Sequence, residues 1–295
     1  MKIIFITLIL FLNSFAQVKI ISQKIIPLPK TENWHKPIFS KNGNALYFTN
    51  DSFGGIWKYD LTKNKLNKIS GDAGSGYQFS ISEDEKNISY RTTNNIGNER
   101  IQKIISIDLN NLKKNTKAQS NDLTTPKYIG NELWYLNNSK KQEPKINSSN
   151  FELLGIEKGK IYLLINGKRI KFDPIENGEY IWASLSPSNE FILAYETSIG
   201  TFIANKNGEV ISKLGRKNSP VWVNNNWILF MDDKDDGEKL ISSDLKIISF
   251  DGKNEIYLAE TKSIHEMYPS VNQLTNQIVS STSDGQIIIY KYEIQ

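Results

Sequence analysis

Apolar and polar residues alternate with a period of two through most of the chain, in short runs separated by turns of Gly, Asn, Asp and Ser. Such runs are half-buried β-strands, because successive side chains of a strand point to opposite faces. One unit recurs: a Pro or apolar residue, an aromatic or apolar residue two places on, Ser, a polar turn, then an alternating strand. Its clearest copy is Pro37-Ile38-Phe39-Ser40-Lys41-Asn42-Gly43, followed by Ala45-Leu46-Tyr47-Phe48. Copies of the same length run from Phe79 to Tyr90 and from Ala183 to Ala194, and shortened or degraded ones start at Pro126, Pro220 and Pro269.

The six copies start at residues 37, 79, 126, 183, 220 and 269, so their spacings are 42, 47, 57, 37 and 49 residues. That period is the length of a four-stranded propeller blade. Third strands rich in β-branched and aromatic residues follow at Gly55 to Asp60, Ile104 to Asp108, Thr201 to Ala204, Leu245 to Ser249 and Gln286 to Tyr290. The sixth copy ends after its third strand, while Ile20 to Ile26 forms a strand with no blade of its own ahead of the first copy. Gln23-Lys24-Ile25-Ile26 aligns with the fourth-strand segment Asn67-Lys68-Ile69-Ser70. The sequence therefore predicts an all-β fold, a six-bladed β-propeller of four-stranded antiparallel blades over residues 17–295. It also predicts closure of the ring by the N-terminal strand, which completes the last blade against Gln286 to Lys291 and removes an open sheet edge. Blade 3 is irregular, with a long polar loop expected at Asn137 to Asn150. Lys160 to Ile165 and Lys168 to Phe172, joined by Asn166-Gly167, read as its outer hairpin, with Phe151 to Ile156 as an extra or bulged strand.

Phe39-Ser40-Lys41-Asn42-Gly43, Leu185-Ser186-Pro187-Ser188-Asn189, Ile56-Trp57-Lys58-Tyr59-Asp60-Leu61 and Ile107-Asp108-Leu109 together resemble the repeat of the TolB-type β-propeller family. The resemblance runs over nearly all of residues 17–295, and it is to an exported branch without the α/β domain that precedes the namesake's propeller. It implies the fold and leaves the activity open, since such repeats occur in envelope scaffolds, peptidase substrate filters and polysaccharide lyases.

Composition narrows the partners. Lys plus Arg number 36 against 32 Asp plus Glu, a formal charge of +4, spread too evenly for a nucleic-acid surface. With no cysteine there is no disulfide, thiolate nucleophile or zinc-thiolate site. Met1-Lys2, the apolar run Ile3 to Leu12 and Ser14-Phe15-Ala16 read as a signal peptide over residues 1–16, cleaved after Ala16 to leave Gln17 first. The run is too short to span a bilayer, and nothing later is long enough, so no integral membrane segment is expected and the mature protein is placed in the periplasm or outside the cell.

In a propeller, the loops entering each blade and those between its second and third strands surround the axial channel on one face. The residues expected there are Trp34, His35, Tyr180, Arg216, Asp232, Asp233, His265, Glu266 and Tyr268. Trp34, Tyr180 and Tyr268 are read as loop aromatics able to stack a sugar or peptide, and Arg216 as facing the aspartates. His35 and His265 enter blades that closure makes neighbours, but a metal site would need a third ligand such as Glu266 or Asp232. The acidic loop Asp232 to Glu238 does not fit the spacing of a calcium-binding EF-hand loop, and Gly71 to Gly76 lacks the helix of a phosphate cradle. No catalytic set, metal or cofactor is therefore expected. The sequence favours a non-catalytic binding scaffold of the cell envelope whose partner is a protein or peptide. The alternative is a glycan-degrading lyase or hydrolase with a metal-dependent site at the channel mouth, for which a glycan is the partner.

Overall fold

The computed structural model describes residues 18–138, 151–259 and 264–294. The proposed signal peptide and most of the polar segment 137–150 lie outside these residues. Everything described is strand, turn or irregular backbone. After β1 (Val18–Ile25), blade 1 comprises β2 (Trp34–Phe39), β3 (Ala45–Asn50), β4 (Ile56–Asp60) and β5 (Lys65–Ser70). Blade 2 comprises β6 (Phe79–Ile81), β7 (Asn87–Ile96), β8 (Glu99–Asp108) and β9 (Lys114–Ser120). Blade 3 contains β10 (Lys127–Ile129), β11 (Glu132–Trp134), β12 (Glu152–Glu157), β13 (Lys160–Ile165) and β14 (Lys168–Phe172). Blade 4 comprises β15 (Tyr180–Leu185), β16 (Phe191–Glu196), β17 (Gly200–Asn205) and β18 (Val210–Gly215). Blade 5 comprises β19 (Asn218–Trp222), β20 (Trp227–Asp235), β21 (Leu240–Ser249) and β22 (Glu255–Ala259). Blade 6 comprises β23 (Glu266–Asn272), β24 (Gln277–Thr282) and β25 (Ile287–Ile294), with β1 as its outer strand.

The ring closes as the sequence predicts. β1 runs antiparallel to β25 in continuous register from Val18 opposite Ile294 to Ile25 opposite Ile288, with one bulge between Ile20 and Ser22. Val18 and Ile26 are buried at either end. A second clasp joins blades 6 and 1 on the opposite face, where the Asn272 amide donates to the Ser40 and Lys41 carbonyls at 3.1 and 3.2 Å.

The serine of the repeat has a specific task. Ser40 Oγ donates to Asn42 Oδ1 and accepts from the Ala45 amide, both at 2.9 Å, which closes the turn between first and second strands. Ser82 repeats this with Asp84 and Asn87, and Ser186 with Ser188 and Phe191. All three serines are buried, so a turn of polar residues seals the floor of each blade without stranding backbone groups.

Hydrophobic burial occurs between blades. Ile26, Trp34, Leu46, Phe48, Trp57, Val279 and Ile287 fill the join of blades 6 and 1. Leu193, Ile203, Trp222, Ile228 and Phe230 do the same for blades 4 and 5. Each sheet has apolar side chains on both faces in its middle strands, which explains why β3 is buried along its whole length.

Blade 3 departs from the others. β10 and β11 form a two-stranded ladder, and β12, β13 and β14 a separate three-stranded sheet. The Asn166-Gly167 hairpin forms, with φ of 50° and 71° at its two turn residues, and β12 is the bulged strand, shifting register between Leu153 and Gly155.

Candidate functional site

The inner strands carry a shared irregularity on one face. The first strand of blade 1 slips register between His35 and Ile38, that of blade 5 between Asn218 and Val221, and that of blade 6 between Met267 and Ser270. In each, the residue at the slip precedes a proline and has a left-handed backbone: Lys36 (φ 51°), Ser219 (φ 46°) and Tyr268 (φ 50°). Non-glycine residues pay roughly 1–2 kcal/mol for that conformation, and the residue before a proline is restricted further. Blade 4 slips between Tyr180 and Trp182, which leaves Ile181 67% exposed. Four inner strands thus slip register near their starts, three of them at the same place in the repeat. Strain repeated at one place in a fold points to use of that place.

The bulges border a cavity of about 520 Å³ lined by Lys36, Ile181, Trp182, Ser219, Tyr268 and the three prolines Pro37, Pro220 and Pro269, among others. Its wall is chiefly apolar. A second cavity of about 510 Å³ continues from Ile181 and Trp182 toward blades 2 and 3, past Phe79, Lys127 and Arg169. A third, smaller one lies beside Phe53 and Tyr77 with Arg91, Thr93 and Gln78 in its lining.

Lys36 stands at the rim of the first cavity. Its ammonium lies 4.7 Å from the centroid of the Phe53 ring and 5.3 Å from those of Tyr77 and Tyr268. These rings come from the turn after β3, the segment entering blade 2 and the inner strand of blade 6. Phe53 and Tyr77 meet edge to face at 5.5 Å. Gly76 makes that approach possible: a Cβ there would fall 1.8 Å from Thr49 Oγ1 and 2.5 Å from the Gly55 carbonyl. Burial lowers the Lys36 pKa, a cost that the ring faces offset in part. His35 stacks edge to face on Tyr268 with centroids 6.4 Å apart. Burial lowers its pKa, against the pull of Asp51 and with the push of Lys36.

The nine residues singled out in the sequence separate into groups. His35 and Tyr268 belong to the mouth. Trp34 does not: it is the first residue of β2, 3% exposed, packed edge to face on Phe48 and Trp57 at 5.3 and 5.2 Å, with its indole N–H on the Pro29 carbonyl. Tyr180 is likewise a buried strand residue, its hydroxyl donating to Asp173 at 3.0 Å and accepting from the Ile175 amide at 2.9 Å. Both were expected in loops because the repeat was anchored on its proline or alanine, whereas the inner strands begin up to three residues earlier. Glu266 is fully buried and accepts the Tyr290 hydroxyl at 3.2 Å. His265 is half-buried ahead of β23, its carbonyl accepting the Ser283 amide.

Arg216 is exposed between β18 and β19 and makes no ion pair with either aspartate. Asp232 and Asp233 sit in β20 rather than in a loop. Asp232 pairs with Lys246 at 2.8 Å, and Asp233 accepts the Asn218 amide at 2.6 Å. Beyond them Asp235 and Asp236 cap the amides of Gly237, Glu238 and Lys239 in their own turn. Among the described residues no three His, Asp or Glu side chains are grouped to hold a metal ion. The sequence reading did not single out Lys36, Phe53, Tyr77 or Ile181. A signal for the first was present in the Lys36-Pro37, Ser219-Pro220 and Tyr268-Pro269 pairs, which share one place in the repeat.

The buried carboxylate beside this face, Glu196, tests the loop geometry. Burial opposes its ionisation, but the Ser198 hydroxyl and the amides of Ser198, Glu179 and Ile199 all donate to it and bring its pKa down to about 2. A carboxyl with a lowered folded-state pKa stabilises the fold above its ordinary value of 4.5, and that contribution drains away as pH falls from 4.5 toward 2. Glu196→Gln should lower stability at pH 7 by about 1–3 kcal/mol, because an amide cannot accept all of those donors. In urea titrations across this range, the gap between wild type and variant should narrow as pH falls. A constant gap would contradict the arrangement.

No protein-family model matches this chain, and no curated protein matches it in sequence. Solved structures do. The β-propeller domain of Cps50 (Swd1) from Myceliophteria thermophila superposes with a TM-score of 0.61 at 12% identity, over 92% of this chain and 99% of that one. Oligogalacturonate lyase from Vibrio parahaemolyticus gives 0.51 at 12% identity, over 87% and 76%. TolB from Acinetobacter baumannii gives 0.50 at 15% identity, over 78% of this chain and 55% of TolB. At such identities these likenesses show the propeller fold and nothing finer.

Proposed function

We propose that this chain is a non-catalytic propeller of the cell envelope that binds a protein or peptide at the channel mouth around Lys36, after export and cleavage following Ala16. The observation that carries this reading is the convergence of strained inner-strand bulges from blades 1, 5 and 6, with the slip of blade 4, on one apolar cavity rimmed by a cation and three aromatic rings. Aromatic and apolar walls with a few placed polar groups are the usual make-up of a recognition site. No helix of the described residues is long and apolar enough to cross a membrane. A metal-dependent glycan lyase would need ligands brought together at the mouth, and the nearest candidates, His35, His265, Glu266 and Asp232, have other surroundings.

Affinity capture from envelope extract tests the proposal. The tagged native protein, with Gln17 as its N-terminus by mass spectrometry, should retain a partner that Tyr77→Ala releases at least ~10-fold more readily, about 1.4 kcal/mol. Lys63→Ala on the opposite face should retain it fully. Loss with Lys63→Ala alone would move the site to that face, and manganese, calcium or zinc bound stoichiometrically to the purified protein would favour the lyase.

A further inference from the structure

We propose that the channel mouth receives the C-terminal end of a polypeptide, its terminal carboxylate on the Lys36 ammonium and its last side chains in the apolar cavity beyond. This rests on the peptide-binding reading above and specifies its ligand.

The argument begins with charge. Around the three cavities, Lys217 is matched by Glu255 at 2.8 Å and Arg169 by Glu157. Lys127 donates to the Leu153 carbonyl and Arg91 to that of Leu123. Lys36 has neither a carboxylate nor a carbonyl on it among the described residues; it has three ring faces. Ring faces attract a cation without accepting its N–H groups as an oxygen does, so three strong donors are held at the rim with no acceptor among the described residues. A carboxylate supplies both the missing charge and the acceptors. The left-handed bulge ahead of Pro37 sets the backbone from which this side chain reaches the rings.

The cavity behind it selects a chain end over a chain passing through. Its volume of about 520 Å³ lies in the range of ligand sites, roughly 300–1,000 Å³. Ile181, Trp182, Val221 and the three prolines offer little to a backbone, and each proline lacks even an N–H. A segment crossing such a wall would strand peptide groups on both sides of its acidic residue. A terminus buries the fewest of them and brings its own carboxylate.

Three pools of fluorescein-labelled hexapeptides decide the matter, measured by anisotropy against the mature protein. The first has randomised apolar final residues and a free C-terminal carboxylate, the second is its C-terminal amide, and the third is an amide carrying an internal Glu. The free-acid pool should bind at least ~10-fold more tightly than either amide pool, the worth of one charge-assisted contact. Lys36→Met should remove that preference, and Lys36→Arg should keep most of it. Equal binding of acid and amide pools overturns the carboxylate assignment and leaves peptide binding standing. Equal binding of the acid and internal-Glu pools overturns the choice of a chain end. Binding of none of the three overturns the peptide reading as well. If Lys36→Met fails to fold, the comparison of pools on the wild-type protein still decides.

Discussion

Deletion of residues 18–26 should lower the thermal midpoint by at least about 5 °C and make the protein aggregate on heating, an effect of roughly 3 kcal/mol or more for a chain of this size. β1 is the outer strand of blade 6, paired along its length with β25. Its loss uncovers Ile288, Tyr290 and Tyr292, which pack with Val18, and opens an eight-residue edge at β25. Ending the order of β1 returns chain entropy, but the exposed side chains and unpaired edge remain with the rest of the protein. The join of blades 6 and 1 would then rest on the Asn272 clasp and the remaining inter-blade packing. A peptide of sequence 18–26 added in trans should recover part of the midpoint. An unchanged midpoint after deletion would show that the ring is not held by this strand.

Trp34→Ala should cost about 3–5 kcal/mol, the range for emptying a large aromatic site in a core, and drop the midpoint on the order of 10 °C. The indole fills the wedge between Phe48, Trp57 and Ile287, and no small shift of two adjoining blades can close the space it leaves. Trp34→Phe should cost less, because it keeps the ring packing and loses the bond to the Pro29 carbonyl. Urea unfolding of the two variants separates the terms. A Trp34→Ala protein of normal stability but poor binding would return this residue to the channel mouth, where sequence alone had placed it.

That misplacement shows where the sequence is informative. Period-two alternation, the buried serine of three inner turns and the mismatch between the chain's two ends were enough for the ring, its blades and its closure, because each is enforced locally or by the need to cover an edge. The site was less legible. A loop assignment depends on where strands begin, and Trp34 and Tyr180 are the first residues of strands whose starts carry no sequence mark. Lys36 reads as an ordinary exposed lysine. What sets it apart is the meeting of Phe53, Tyr77 and Tyr268, which lie 17, 41 and 232 residues away in the chain, and only the closed ring brings Tyr268 to it. Asp232 and Arg216 read as opposing charges, yet the long β20–β21 hairpin gives Asp232 to Lys246 on the neighbouring strand.

The central claim is that ligand binding belongs to the face around Lys36. It is tested most directly by site-specific photocrosslinking in living cells, with the reactive residue at Tyr77, 56% exposed beside the cage, or at Lys63 in the turn on the opposite face. The account predicts a covalent adduct to a discrete partner from position 77, abolished by Lys36→Met, and none from position 63. An adduct from position 63 with none from position 77 would contradict it.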